Sequence, residues 1–361
     1  MIDFQPTDEQ QLVIDTVRQF AQNEVRPQAR DCDESKKLPE KVLEQAHELG
    51  LVANALPESA GGGGERSAVT GALVAEELAW GDLSIALAIL SPGLTAYPIA
   101  EFGSDAQKQT LSAFTGSRFV PGSLAWVEPR FDSDPFRPQT TARRDGADYV
   151  LDGAKCFVPW LDGGGDVLVV ASEGGAPQAF LVPRDAKGLA AEREKNMGIL
   201  ALPTAELTLT GVRVPAAARL GGDAGADLRR VLNQGRVALA AMAVGVARAA
   251  FEVARDYAKE RIVFGVPVAT KQAIAFKLAD MSIEIDAARL LAWEAAWKLD
   301  QGQDATREAL LAKRQAQRIV MEVTDGAVQV FGGHGYIRDY LPEMHLRNAR
   351  GFASFEALAL V

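Results

Sequence analysis

The chain has 361 residues, 48% hydrophobic and 24% charged, enough to bury a large core and to divide into two or three domains. Its formal net charge is -10, with no block of Lys and Arg, which speaks against nucleic acid or an anionic membrane surface as a partner. Two cysteines, Cys32 and Cys156, and three histidines, His47, His334 and His345, lie too far apart in sequence for a disulfide framework or a metal site.

The chain opens Met1-Ile2-Asp3-Phe4-Gln5, without the basic and then apolar pattern of a signal peptide. No apolar run is read as long enough to span a bilayer, and a reduced, cytoplasmic protein is expected. Thr7 and Gln10 form a capping box ahead of a helix with Leu12, Val13, Val17, Phe20 and Ala21 at inward spacing. A second helix is predicted over residues 39–49, closed by Gly50. Gly61 to Gly64 read as a surface turn, because no Lys-Ser/Thr follows to make a phosphate cradle.

Between residues 119 and 220 the pattern changes to short strand-like runs, Tyr149-Val150-Leu151, Val167 to Val170, Ala179 to Val182 and Leu207-Thr208-Leu209, separated by Gly, Pro and Asp. From Asp227 the chain turns helical again, and Ile274, Leu278, Met281, Ile285, Ala288 and Ala292 make an inward stripe. The expected architecture is mainly α with a central β-domain: a helical domain over 1–118, a small antiparallel β-domain over 119–222 and a helix bundle over 223–361.

Four segments carry more than packing: Ala125-Trp126-Val127-Glu128-Pro129-Arg130-Phe131-Asp132-Ser133-Asp134; Gly153-Ala154-Lys155-Cys156-Phe157-Val158-Pro159-Trp160; Tyr257-Ala258-Lys259-Glu260-Arg261-Ile262-Val263-Phe264-Gly265 with Pro267, Gln272 and Leu278-Ala279-Asp280-Met281; and Gln329-Val330-Phe331-Gly332-Gly333-His334-Gly335-Tyr336. Arg261 is a permanently charged fork suited to a diphosphate, or to a surface carboxylate. Gly332 and Gly333 end a helix and permit close backbone approach. His334 reads as a turn residue.

In order and spacing these segments resemble the acyl-CoA dehydrogenase family over essentially the whole chain. The resemblance implies FAD, an acyl-CoA substrate, an electron transfer flavoprotein as acceptor, and either a homotetramer or a hetero-oligomer with a related subunit. It assigns cofactor contacts to Ala125, Val127, Phe157, Val158, Arg261, Phe264, Gln272, Gln329, Gly332 and Gly333, the third and fourth segments reaching a neighbour's FAD. Ser133, Asn233 and Arg236 are the implied substrate contacts. Glu356 stands 27 positions after Gln329, where the family's base removes the α-proton as the β-hydrogen leaves as hydride to flavin, and where the base's own N–H supports the thioester carbonyl. A carboxylate in a water-poor pocket is a better base. The family's alternative base position is Gly235, which carries no carboxylate.

The departures from the pattern also cluster. Val127 and Pro159 replace threonines that hydrogen-bond the flavin ring, Asp132 replaces Gly, and Ala357-Leu358 replace Gly-Thr. The segments reaching a neighbour's cofactor are intact while those holding the chain's own ring are altered, a pattern suited to a partly catalytic subunit of a hetero-oligomer. The helices around 80–100, with Ile85, Leu87, Ile89 and Leu90, are expected to line an apolar acyl pocket.

Overall fold

The Thr7 hydroxyl accepts from the Gln10 N–H at 3.2 Å and the Gln10 side chain accepts from the Thr7 N–H at 3.0 Å. This capping box starts α1 (Asp8–Phe20) in a computed structural model that describes residues 5–361. Residues 1–4, part of the stretch read for a signal peptide, lie outside the described residues. Ile14, Val17 and Phe20 face the core, but Leu12 is 69% exposed, because five residues from Val17 turns it off the buried stripe.

The helices α2 (Ala29–Ser35), α3 (Glu40–Glu48), α4 (Ala68–Gly81), α5 (Leu83–Leu90), α6 (Gly93–Phe102) and α7 (Asp105–Lys108) complete the first part. Gly50 follows α3 with φ 71°, the left-handed conformation expected of a helix-closing glycine. The α5–α6 stretch and a later helix, α8 (Leu228–Glu260), are each long and apolar enough to cross a bilayer, contrary to the expectation from the sequence. Both are mostly buried within the protein, and a helix surrounded by core is apolar on all sides.

Seven strands follow: β1 (Ser123–Ala125), β2 (Thr141–Asp145), β3 (Asp148–Pro159), β4 (Val167–Glu173), β5 (Ala176–Val182), β6 (Leu189–Arg193) and β7 (Thr204–Pro215). They form one sheet in the order β1-β4-β2-β3-β7-β6, with β5 on β4. The sheet is mixed rather than antiparallel, since β1 and β2 both run parallel to β4. Only a tight hairpin forces antiparallel pairing, and a long loop separates β1 from β2. Glu128 anchors that loop: it pairs with buried Lys155 at 3.1 Å and accepts from the N–H groups of Gln139 and Thr140.

The last part holds α8 (Leu228–Glu260), a hairpin of β8 (Ile262–Val263) and β9 (Val266–Pro267), then α9 (Gln272–Asp300), α10 (Thr306–Phe331) and α11 (Pro342–Ala349). Asp227 caps α8 by accepting from the Arg230 N–H at 3.1 Å. Met281, Ile285, Ala288 and Ala292 are buried as expected, and Ile274 and Leu278 pack partly buried beside them. On other faces of α9, Phe276, Ile283, Leu290 and Trp297 are all exposed at seven-residue spacing. Buried Glu76 and Glu77 on α4 tie the two helical parts together through Arg248 on α8 and Arg289 on α9.

Candidate active site

Residues Phe355, Ala357, Leu358, Ala359, Leu360 and Val361 are all buried, so the segment carrying Glu356 runs through the helical core. It passes against Gly235 of α8, then reaches Gly71 of α4, where Arg66 donates to the Val361 carbonyl. Arg66 itself stacks on Tyr97 at 4.0 Å. Leu360 and Val361 share the wall of a cavity of about 520 Å³ with Leu90 and Tyr97. Ile85, Leu87 and Ile89 are sealed in the core.

The Glu356 side chain is 19% exposed. Its Oε1 lies 3.0 Å from Lys313 Nζ on α10 and 3.6 Å from Arg236 Nε on α8. Two cations thus flank the carboxylate. Lys313 also donates to the Phe355 carbonyl. Burial lowers the Lys313 pKa, and Glu356 works against that by holding the charged form. The second carboxylate oxygen, Oε2, is buried without a hydrogen-bond partner, and among the described residues no group accepts from the Glu356 N–H. One residue thus presents a tethered acid with a free oxygen and a free backbone donor.

Asn233 lies one turn before Arg236, but its side-chain NH₂ is spent on Thr306 at 3.0 Å, leaving Oδ1 buried and unpaired among the described residues. The Ser133 hydroxyl accepts from the Glu128 N–H at 3.4 Å, within its own loop. Asp132, the charge unexpected at that position, is answered by Arg130 at 2.6 Å.

Phe157 packs edge-on against Phe355 with ring centroids 5.7 Å apart, bringing the second segment to the stretch that carries Glu356. Its N–H donates to Glu194 at 3.1 Å, and the Val127 carbonyl accepts from the Cys156 N–H at 2.9 Å. The side chains of Ala125 and Val158 are buried in the core of the sheet, so strand alternation leaves their backbone atoms as the groups open to a ligand. Phe157, Ile199, Phe264 and Ala357 all hold positive φ, between 48° and 55°, which is costly for side chains other than glycine. Such strain gathers at functional segments. At Ala357 it also explains why a glycine suits that place.

The third and fourth segments meet at the far end of α8. Tyr257 stacks on Phe331 with centroids 3.9 Å apart, and its hydroxyl lies 2.8 Å from His334 Nδ1. His334 therefore fastens the glycine turn. Arg261, Gln272, Gln329, Gly332 and Gly333 are all exposed, and Phe264 is 94% exposed at the tip of the β8–β9 hairpin. Phe264 and Gly265, with φ 53° and 79°, form a two-residue turn of the kind that suits the strand twist. Arg261 makes no ion pair among the described residues, so its guanidinium is free for an anionic group, and added Cβ atoms at Gly332 and Gly333 would meet nothing within 4 Å. These residues fit the diphosphate end of a dinucleotide. At the ring end the side chains of Val127 and Pro159 add no donor, and Phe157 offers an apolar contact.

Lys313 was not singled out from sequence. Its signal was there: it occupies the inward stripe of α10 with Ala309, Ala312 and Ala316, and a lysine on a buried stripe needs a partner.

The chain matches three family models described as the acyl-CoA dehydrogenase N-terminal domain over residues 7–113, middle domain over 123–212 and C-terminal domain over 225–356. It is 37% identical to a probable acyl-CoA dehydrogenase of Bacillus subtilis, covering 97% of this chain and 94% of that protein. Its fold is similar to butyryl-CoA dehydrogenase from Megasphaera elsdenii, with TM-score 0.88, 32% identity, and 98% and 96% of the two chains covered. A glutaryl-CoA dehydrogenase from Mycobacterium smegmatis, solved in complex with FADH2, has TM-score 0.88 at 28% identity, covering 97% and 91%.

Proposed function

The chain belongs to the acyl-CoA dehydrogenase family, FAD-dependent oxidoreductases acting on the CH–CH bond of acyl-CoA thioesters, and from that footing we propose that Glu356 is its catalytic base. One observation carries the proposal: Glu356 offers a buried, unpartnered Oε2 beside an N–H that no described group accepts. Oε2 takes the α-proton of the thioester. The N–H donates to the thioester carbonyl and stabilises the charge that develops there as the C–H bond breaks. Bound FAD supplies the acceptor for the β-hydride. Arg261, Phe264, Gln272, Gln329, Gly332 and Gly333 hold the nucleotide of a neighbouring copy, and Phe157 covers the ring. The exposed stripe of Phe276, Ile283, Leu290 and Trp297 supports assembly into an oligomer, since apolar rows of that length are normally covered. An electron transfer flavoprotein is the proposed acceptor of the electrons.

Glu356→Gln keeps the size of the side chain and removes its proton affinity. In anaerobic stopped-flow mixing with acyl-CoA thioesters, the Gln variant should bind substrate and fail to bleach the flavin. Bleaching at the unmodified rate would place the base elsewhere.

A second reading has its own support. The side chains of Val127 and Pro159 supply no ring donor, and Leu360 and Val361 line a cavity together with Leu90. In that reading the chain is a partly catalytic subunit of a hetero-oligomer, and it gains full activity only with a related chain.

A further inference from the structure

We propose that Lys313 is a positioning residue that aims both the acid and the amide of Glu356, an inference that rests on Glu356 acting as the base. Lys313 is buried on α10 and touches the segment at two points on either side of one peptide bond. Its ammonium lies 3.0 Å from Glu356 Oε1 and donates to the Phe355 carbonyl. Each contact sets a different direction.

Tethering Oε1 fixes the rotation of the carboxylate, so that Oε2 is the oxygen left to receive a proton. Holding the Phe355 carbonyl fixes the plane of the peptide joining residues 355 and 356. In a trans peptide the C=O and the N–H point in opposite directions. A clamp on the Phe355 oxygen therefore turns the Glu356 N–H away from Lys313, toward the side on which no described residue accepts it. One cation in this way sets the angle between a proton acceptor and a hydrogen-bond donor, the two groups that an α-proton abstraction next to a carbonyl requires. Arg236, at 3.6 Å from the same Oε1, cannot replace it, because it makes no contact with the Phe355 carbonyl. The αL backbone at Ala357, φ 52°, leaves the segment dependent on such an anchor, since that residue favours another conformation on its own.

Acetyl-CoA tests the idea, because it has α-hydrogens but no β-carbon and cannot be dehydrogenated. Deuterium uptake into its methyl group, catalysed by the holoprotein in D₂O, reads proton abstraction apart from hydride transfer. Lys313→Met should slow that exchange about 10²-fold, the scale of a misplacement near 1 Å, while acetyl-CoA affinity changes less than about three-fold, because the clamp acts on the transition state. The infrared stretch of a ¹³C-labelled thioester carbonyl should also lose part of its downshift in the variant, which reports the turned N–H. Lys313→Arg, which can span both contacts, should recover most of the exchange, and it serves as the test if the Met variant does not fold. Exchange at the unmodified rate in a folded Met variant, or an unchanged carbonyl stretch, overturns the role of Lys313 while leaving Glu356 as base. If the unmodified protein exchanges no α-hydrogen of acetyl-CoA and no thioester bleaches its flavin, the reading of Glu356 fails, and this one with it.

Discussion

A Cβ added at Gly235 would stand 3.2 Å from the Ala357 Cα and 3.4 Å from the Ala359 carbonyl oxygen. The position is a packing glycine, over which the base-carrying segment lies backbone to backbone.

Gly235→Ala gains helix propensity worth about 1 kcal/mol but presses on backbone that cannot rotate aside. Overpacking of this kind costs about 1–3 kcal/mol. The variant should be destabilised in denaturant titrations and should reduce flavin more slowly, because Glu356 adjoins the displaced residue. A more stable variant with the unmodified rate of flavin reduction would mean that the segment moves freely.

Arg261→Ala should lower the flavin content of purified protein while leaving the thermal melt of the fold unchanged. The guanidinium is exposed and makes no ion pair among the described residues, so its loss removes no internal ion pair. The ratio of visible to ultraviolet absorbance, together with circular dichroism, reads both quantities. Full flavin content in the variant would remove the diphosphate role.

His345 is buried with its Nε2 unpartnered among the described residues, and burial, then Arg26 and Arg30, pushes its pKa down to about 3. The unfolded imidazole titrates near 6.5, so between about 3 and 6.5 the unfolded chain binds a proton that the fold excludes. Stability contributed by neutral His345 is complete above 6.5 and is lost as pH falls toward 3, at up to about 1.4 kcal/mol per pH unit. Denaturant midpoints measured from pH 7 to 4 should fall, and His345→Gln should flatten that slope. Equal slopes in both proteins would show that the ring is not kept neutral.

The order of helices and strands was legible because periodicity and caps are local: Thr7, Gly50 and Asp227 each do what their neighbours in sequence demand. The parallel pairing of β1 with β4 was not, since it depends on where a long loop returns. Glu356 and Arg236 could be named from motif spacing, but not the cations around the acid. Lys313 lies 43 positions upstream of Glu356 and meets it only because α10 crosses the final segment. Which atoms Ala125 and Val158 offer was not legible for a related reason: a motif marks a stretch of chain, while the side of a strand that each residue faces depends on register.

Helix α8 has 33 residues and no proline, which makes it a rod about 50 Å long. Arg236, beside the acid, lies near one end, and the Arg261 hairpin leaves the other, 25 residues further on, or about 37 Å at helical rise. Substitutions that far apart within one subunit add independently in their effect on its folding. On the proposed reading each hairpin serves a neighbour's flavin, so an altered hairpin is felt at the neighbour's acid and not at its own. The rod separates where a substitution sits from the subunit whose chemistry it alters.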